Sequence, residues 1–181
     1  EDMWSLCVHG YIKDISPAKI NKIASELSKN GIGVWSIGSP CGKSDPTDSF
    51  DKQLDTFKRV CESAQALGAT RIRMFSFYSQ SEKDAFKGLE AFCRATPSGI
   101  VLCHENEKGI FGDTYQNCVK IHKEFPDIKA VFDPANFVQC DVDTKEAWDA
   151  LSPYIDYMHV KDALKDKRVV RAGYGIGNVE Y

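Results

Sequence analysis

The sequence contains no apolar run that approaches the roughly 20 residues of a transmembrane helix. Its first residues lack the basic-then-apolar order of a secretory signal peptide. Basic residues are not in excess either, since 23 Lys and Arg stand against 26 Asp and Glu, for a formal net charge of −3. These absences argue against a membrane span, a secretory leader, and an electrostatic surface for nucleic acid or anionic membranes. We expect a cytoplasmic protein.

Paired cysteines are also lacking. The seven cysteines are an odd number, and no two of them form a Cys-x-x-Cys pair. Cys61, Cys93 and Cys118 fall within apolar patterns, which is typical of reduced core thiols. With 181 residues, of which 43% are hydrophobic and 27% charged, the chain has the composition of one globular domain over residues 1–181.

Three apolar runs each end in polar side chains. The first, residues 100–106, reads Ile-Val-Leu-Cys-His-Glu-Asn, and the pattern returns at residues 130–136 and 157–162. A continuous apolar run predicts a strand that is covered on both faces, as in a parallel sheet. Folds built from βα units place their chemistry at the carboxyl ends of such strands.

The polar residues at these three strand ends are suited to metal binding. Glu105, Asp133 and His159 follow one another at intervals of 28 and 26 residues, about one strand–helix–strand crossover each. One oxygen or nitrogen ligand per strand, converging on one rim, predicts a divalent-metal site. We therefore expect the three side chains to meet.

Helix and strand patterns alternate along the chain. The predicted helices run from Ser16-Pro17 to Asn30, from Phe50 to Gly68, from the Ser81 cap, from Asp113 or Thr114, and around Trp148 and Leu151. The predicted strands are residues 32–37, 71–77, 100–103, 129–132 and 157–160, with a less regular one at residues 1–8. A loop is predicted from the fourth of these five strands to about Asp143.

Strict alternation of strands and helices leaves two architectures, a doubly wound open sheet or a (β/α)8 barrel. Functional residues of an open sheet crowd near one switch point, whereas here they recur on successive strands, which favours the barrel. A full barrel usually takes about 250 residues and eight strands. We therefore expect an incomplete barrel, about β2 or β3 through β7 of that fold. Such a chain is either a piece of a longer gene product or an assembly of two copies.

Several segments resemble one family in the same order along the chain. Residues 102–114, 132–137 and 159–163, with Ala172-Gly-Tyr-Gly175, resemble the sugar phosphate isomerase/epimerase family, which has a xylose isomerase-like TIM barrel. The resemblance extends over most of the chain. It implies an isomerase or epimerase acting on a small sugar or sugar phosphate, with no nucleic acid or membrane partner and with a homo-oligomer as one option.

The resemblance also implies roles for the residues at the strand ends. Glu105, Asp133 and His159 match three of the family's ligands for a divalent metal, which could be Mn, Mg, Co or Zn. The usual fourth ligand, a glutamate on the eighth strand, has no counterpart in this sequence. The metal would acidify a C–H of a ketose and stabilise an enediolate. Glu105 is the candidate acid/base that moves the proton.

Three further polar residues near the strand ends are candidates for substrate binding. Asn106 and Asn136 either bind substrate or cap the next helix or loop. Lys161 either holds a substrate hydroxyl or phosphate or pairs with Asp162. Strand alternation points His104 away from the site, so a packed or exposed histidine is expected there.

The remaining unusual residues have structural interpretations. Arg73 lies inside an apolar strand and needs a buried partner, which makes it a candidate for the barrel interior. His9 and His122 have no partner in the pattern and are expected to be structural. The Gly173-x-Gly175-x-Gly177 stretch lacks the flanking strand and helix of a dinucleotide motif and is weak evidence for NAD.

Three other functions fit part of the pattern. A metal-dependent dehydratase of inositol-type ketones could use the same ligands. An apurinic endonuclease of the same barrel type would carry Asp-x-x-His where this chain has Asp133-Pro-Ala-Asn136, and the acidic net charge opposes DNA binding. A truncated barrel would fold without turnover. Metal content and an activity screen separate these cases.

Overall fold

Five short parallel strands form the frame of the chain. The computed structural model describes residues 15–46, 48–79 and 81–179. Its strands are β1 (Ser36–Gly38), β2 (Arg71–Met74), β3 (Val101–Glu105), β4 (Lys129–Phe132) and β5 (Ile155–Met158). They neighbour one another in sequence order, and every pair is parallel. An order without reversal is that of a (β/α)8 barrel, so the predicted incomplete barrel is confirmed. The strand predicted at residues 1–8 and His9 lie outside the described ranges.

Helices connect these strands on the outer face of the sheet. They are α1 (Pro17–Lys29), α2 (Phe50–Leu67), α3 (Glu82–Ala95), α4 (Tyr115–Glu124), α5 (Pro134–Gln139) and α6 (Thr144–Leu151). The predicted caps Ser16 and Ser81 are confirmed, and Thr114 also caps α4: each accepts a hydrogen bond from a backbone N–H of the first turn. Gly68 ends α2 in the left-handed conformation, with φ of 71°. No helix in the described ranges is long and apolar enough to cross a membrane.

Four of the five predicted strands have the wrong bounds, and the third, predicted at residues 100–103, is Val101–Glu105. The first begins at Ser36 rather than at residue 32, and the last is residues 155–158 rather than 157–160. The second ends at Met74 rather than at residue 77 because the chain leaves the sheet there. The N–H groups of Phe75 and Phe77 instead donate to the carbonyls of Cys41 and Gly42 in the loop after β1, at 2.9 and 2.7 Å.

The loop predicted between β4 and Asp143 is also wrong, because it contains α5. Asp133 caps this helix through a hydrogen bond from Asn136 N–H to its Oδ1 at 2.9 Å, and Pro134 occupies the first turn. The six-residue helix is too short to show an apolar periodicity, so only the Asp-Pro pair signals it in the sequence.

The apolar core lies between the sheet and the helices. It is built largely from one face of α2 and one face of α3 together with the outward side chains of β2, and its buried members include Phe57, Cys61, Ala64, Ile72, Met74, Leu89 and Phe92. A second cluster under α4 to α6 contains Cys118, Phe132, Phe137, Ala147 and Leu151. The six cysteines that the structure describes are free, as predicted for reduced thiols.

The segment after β5 forms a small hairpin that the sequence did not predict. Strands β6 (Asp162–Ala163) and β7 (Val169–Val170) pair antiparallel, and the glycine-rich stretch then folds back on Asp162. The buried Asp162 carboxylate accepts backbone hydrogen bonds from Ala163, Gly173, Gly175 and Gly177, at 2.8 to 3.1 Å. A Cβ at Gly175 would lie 2.3 Å from the Ala163 carbonyl, so this close approach requires glycine. The glycines therefore have a structural use.

The substitution Asp162→Asn should lower the free energy of unfolding by about 2–3 kcal/mol, because one carboxylate oxygen becomes an amide that cannot accept from the backbone N–H groups. Urea unfolding of the variant and the parent measures the change. Asp166→Asn, in the exposed loop of the same hairpin, is the matched control and should change it little. Equal losses in the two variants would contradict the proposed role of the Asp162 carboxylate.

Two histidines pack on the outer face of the sheet, away from the strand ends. His104 is buried, as one of its two expected alternatives, with Nε2 3.0 Å from Ser76 Oγ. His122 is structural, as expected: its Nδ1–H donates to the Ile128 carbonyl at 3.0 Å, and its ring stacks on Tyr154. Burial lowers the pKa of His122 to about 4 and that of His104 well below its usual value. Both imidazoles are therefore neutral in the folded chain at neutral pH.

A depressed histidine pKa makes the fold sensitive to acid. Since the unfolded imidazole takes up a proton near pH 6.5 and folded His122 only near pH 4, its contribution to stability is complete above 6.5 and is lost as the pH falls towards 4. We expect this loss to be about 2–3 kcal/mol smaller in His122→Asn, which keeps the hydrogen-bond donor but does not titrate. Unfolding free energies measured from pH 7 to 4 test this, and parallel pH curves for both proteins would refute it.

Candidate metal centre

The candidate centre lies at the carboxyl ends of β3, β4 and β5. Glu105 is the last residue of β3, while Asp133 and His159 directly follow β4 and β5. One ligand atom from each lies within 4.8 Å of the other two. Within the ranges that the structure covers, no other group of three His, Cys, Asp or Glu side chains comes so close. The predicted meeting of these three side chains is confirmed.

Asn106 fixes the position of Asp133 relative to β3. The backbone ladder between β3 and β4 ends where Glu105 pairs with Val131. Beyond it, Asn106 Nδ2 donates to the Asp133 carbonyl at 2.9 Å, and Asn106 Oδ1 accepts from Asp133 N–H at 2.8 Å. Because the Asp133 carboxylate then caps α5 through Oδ1, its Oδ2 is directed to the centre.

His159 reaches the centre through an irregularity in the pairing of β4 with β5. The register shifts between Ala130 and Val131. After this shift the N–H of His159 donates to the Phe132 carbonyl at 2.9 Å. The imidazole consequently emerges beside Asp133, the next residue of the neighbouring strand.

The imidazole lies between two buried carboxylates. His159 Nδ1 is 3.0 Å from Glu105 Oε1 and 3.5 Å from Asp133 Oδ2. Hydrogen bonding to Asp133 and then to Glu105 raises the pKa of His159 to about 9. The Glu105 and Asp133 side chains are only 6% and 1% exposed. They therefore favour a positive charge between them, which either a proton on His159 or a metal ion supplies.

Two side-chain cations flank the carboxylates. Arg73 Nη1 is 3.0 Å from Glu105 Oε2, so the buried partner that its position requires is Glu105. Lys161 Nζ is 2.7 Å from Asn136 Oδ1 and 3.4 Å from Asp133 Oδ2. Arg73 lies deep, with 15% of its side chain exposed, whereas Lys161 is 35% exposed and faces solvent.

The three predicted substrate-binding residues all lie at the centre. The side-chain amide of Asn106 uses both its N–H and its oxygen in hydrogen bonds to the backbone of Asp133. Asn136 Nδ2 donates to the Asn106 carbonyl at 2.9 Å, and its Oδ1 accepts from Lys161. The alternative pairing of Lys161 with Asp162 is wrong, because the Asp162 carboxylate is occupied by backbone N–H groups. Substrate binding by these residues stays a prediction.

The sequence did not predict a further ion pair at the rim. Lys43 Nζ lies 2.6 Å from Glu107 Oε2 and 4.4 Å from the centre of the Phe75 ring. The guanidinium of Arg73 lies 4.6 Å from the centre of the same ring. The spacing of Glu107 two residues after Glu105 could have indicated a common side of the extended chain, whereas nothing in the sequence pairs it with Lys43.

The donor set fits a divalent cation. Two carboxylates and one imidazole are hard or borderline ligands, suited to Mn, Mg, Co or Zn, and no thiolate lies among them. Glu105 Oε2 is buried and accepts no hydrogen bond within the described part of the chain. Arg73 Nη1 lies 3.0 Å from this oxygen without hydrogen-bond geometry, and one ligand atom from each of the three side chains is close enough to the others to surround a single cation.

Comparison with known proteins places this geometry in context. The chain matches the model of the xylose isomerase-like TIM barrel family over residues 2–181. No curated protein matches it in sequence. A D-tagatose 3-epimerase-like protein has a similar structure, with a TM-score of 0.74 and 17% identity over 91% of this chain and 69% of that one.

Two other solved structures are similar. The probable 3-DHS dehydratase AsbF of Bacillus anthracis, described as involved in petrobactin synthesis, has a TM-score of 0.70 and 16% identity over 90% of this chain and 69% of its own. A barrel protein of Mycobacterium smegmatis, solved in complex with magnesium, has a TM-score of 0.68 and 15% identity over 91% and 66%. At such identities these likenesses show a shared fold.

The substitution Asp133→Asn should weaken Mn²⁺ binding by at least about tenfold, because it removes a ligand charge while an amide oxygen can still cap α5. Titration calorimetry of the variant and the parent measures the affinity. Asp143→Asn is the matched control, since Asp143 caps α6 in the same way outside the centre. Equal affinity in Asp133→Asn and the parent would remove Asp133 from the ligands.

Proposed function

The chain belongs to the xylose isomerase-like TIM barrel family, and from this premise we propose that it is a divalent-metal-dependent isomerase or epimerase of small sugars or sugar phosphates. The observation that carries the proposal is the convergence of Glu105, Asp133 and His159 within 4.8 Å at the carboxyl ends of neighbouring strands. The likeness to a D-tagatose 3-epimerase-like protein and to a barrel solved with magnesium supports it.

In this proposal the three converging side chains hold the metal. When bound, the metal would polarise the carbonyl and hydroxyl oxygens of a ketose and acidify the adjacent C–H. Asp133 and His159 act as ligands only, because Asp133 Oδ1 is committed to the cap of α5 and His159 Nδ1 faces the carboxylates. Asn106 has a positioning role, since it ties Asp133 to β3.

Glu105 moves the proton. Its Oε1 faces His159, while its buried Oε2 accepts no hydrogen bond within the part of the chain that the structure covers. With Arg73 and His159 beside it, this carboxylate can act as the base that takes a proton from the carbon next to the ketose carbonyl. Return of the proton by Glu105 to the neighbouring carbon isomerises the sugar, whereas inversion also needs a proton donor on the opposite face of the first carbon.

Lys161 and Asn136 orient the substrate. Their contact of 2.7 Å places an ammonium group and an amide side by side at the solvent-facing edge of the centre. Lys161 can donate to a hydroxyl or phosphate oxygen of the sugar without leaving Asn136, because an ammonium group carries three donors. These two residues therefore offer substrate contacts at the solvent-facing edge of the centre.

A dehydratase is the second candidate. The likeness to the probable 3-DHS dehydratase AsbF favours it. The same abstraction of a proton by Glu105 would begin the reaction, and Lys161 would then protonate a departing hydroxyl group. Loss of water leaves a conjugated carbonyl that absorbs in the ultraviolet, which distinguishes this outcome from epimerisation.

Exchange of the substrate hydrogen with solvent tests the proposal, because exchange needs only one base. The chain is incubated with Mn²⁺ and a panel of ketoses in D₂O, and deuterium at the carbons next to the carbonyl is followed by NMR. We expect slow metal-dependent exchange that Glu105→Gln reduces by at least about a hundredfold. Glu124→Gln, at the far end of α4, is the control.

Three results would contradict the assignment. Exchange that is unaffected by Glu105→Gln would remove Glu105 as the base. Ultraviolet absorbance that rises without epimer formation would favour the dehydratase. An absence of both exchange and dehydration with every ketose tested would favour a barrel without activity.

A further inference from the structure

Arg73 contacts the candidate centre from the side opposite His159. It lies on β2, where its side chain and that of Arg71 point into the concave side of the sheet while Ile72 and Met74 are buried against the helices. Its Nη1 lies 3.0 Å from Glu105 Oε2, and both side chains are largely buried. A permanently charged guanidinium is thus built into the group of proposed metal ligands, where it would repel a cation.

The guanidinium is held in place by its surroundings. It lies over the face of Phe75, with 4.6 Å between Cζ and the ring centre. On another side it occupies the space left by Gly38, where a Cβ would approach Nη2 to 2.9 Å. These contacts fix the group independently of Glu105, so Arg73 is a rigid reference for the carboxylate.

The two oxygens of Glu105 consequently have different partners. Oε1 faces His159 Nδ1 at 3.0 Å and Asn136 Nδ2 at 3.4 Å, on the side where the other ligands lie. Oε2 faces Arg73. A carboxylate whose second oxygen is held in this way has one oxygen left for a metal, whereas an unrestrained glutamate can use both.

We propose that Arg73 is a positioning residue that keeps Glu105 a one-oxygen ligand, with Oε1 for the metal and Oε2 held away from it. The inference rests on the proposed function, because it assumes that the centre takes a divalent metal. In this role Arg73 lowers the affinity for the metal, and Oε2 stays off the metal because it is paired with Arg73.

This role predicts that removal of Arg73 strengthens metal binding. Arg73→Met removes a positive charge beside the metal and releases Oε2 to bind it as well. Both changes strengthen metal binding, and we expect an affinity on the order of tenfold higher than in the parent. If Arg73 merely supported the fold of the centre, the same substitution would weaken metal binding, because it would leave Glu105 misplaced.

Co²⁺ is the probe, since its visible absorption reports the number of ligands. For the parent, Arg73→Met and Arg73→Lys, the affinity for Co²⁺ is measured by calorimetry. The visible spectrum of each protein is recorded at saturation with Co²⁺. We expect weaker absorption in Arg73→Met, because a sixth or fifth ligand atom makes the site less tetrahedral. Arg73→Lys keeps the charge beside Oε2 and should have an affinity and spectrum near those of the parent. Arg94→Met, an exposed arginine of α3, is the control.

A Glu105→Gln background shows whether Arg73 acts through Glu105. There Arg73→Met should leave the Co²⁺ spectrum unchanged.

Equal or weaker binding of Co²⁺ in Arg73→Met, with the spectrum of the parent, overturns the inference. The same spectral change in the Glu105→Gln background also overturns it. If Arg73→Met does not fold, Arg73→Lys decides: a spectrum that differs from the parent's overturns the inference as well. A parent that binds no divalent cation overturns the metal-dependent function itself, which is a different result.

Discussion

Compensation of buried negative charge is the constraint on which the carboxyl-terminal half of the chain depends. Glu105, Asp133 and Asp162 are each 4% exposed or less. An ionised carboxylate in such surroundings is strongly unfavourable unless cations or N–H groups meet it. The three carboxylates differ in the groups that compensate their charge. Asp162 takes four backbone N–H groups, Asp133 takes one N–H with Lys161 and His159, and Glu105 takes Arg73 and His159.

These different solutions separate structure from candidate chemistry. Hydrogen bonds from a backbone that is itself fixed leave Asp162 no freedom, so its carboxylate can only organise the glycine-rich segment. Glu105 and Asp133 are paired with charged side chains. The positive charge between them can come from a proton on His159 or from a metal ion. A site that must change its charge during binding needs partners of this second kind. The division follows from the atoms that surround each carboxylate.

The sequence predicted the residues of the centre better than it predicted their partners. Glu105, Asp133 and His159 were found because each follows an apolar run, a signal that depends only on local order. The ion pair of Arg73 with Glu105 joins residues on different strands, and the sequence offers many other charges to either. The same reason applies to Lys43 with Glu107. Helices longer than two turns were predicted from caps and periodicity, whereas α5 and the β6–β7 hairpin are too short to show a period.

The geometry of the centre depends on neighbouring strands rather than on closure of a barrel. Asp133 is placed by Asn106 across the β3–β4 pair, and His159 by its hydrogen bond to Phe132 across the β4–β5 pair. Arg73 reaches Glu105 from β2, the strand that pairs with β3 on its other side. The three candidate ligands are thus positioned by adjacent parallel strands and one shift of register. The residues of the centre therefore lie on adjacent strands or directly after them.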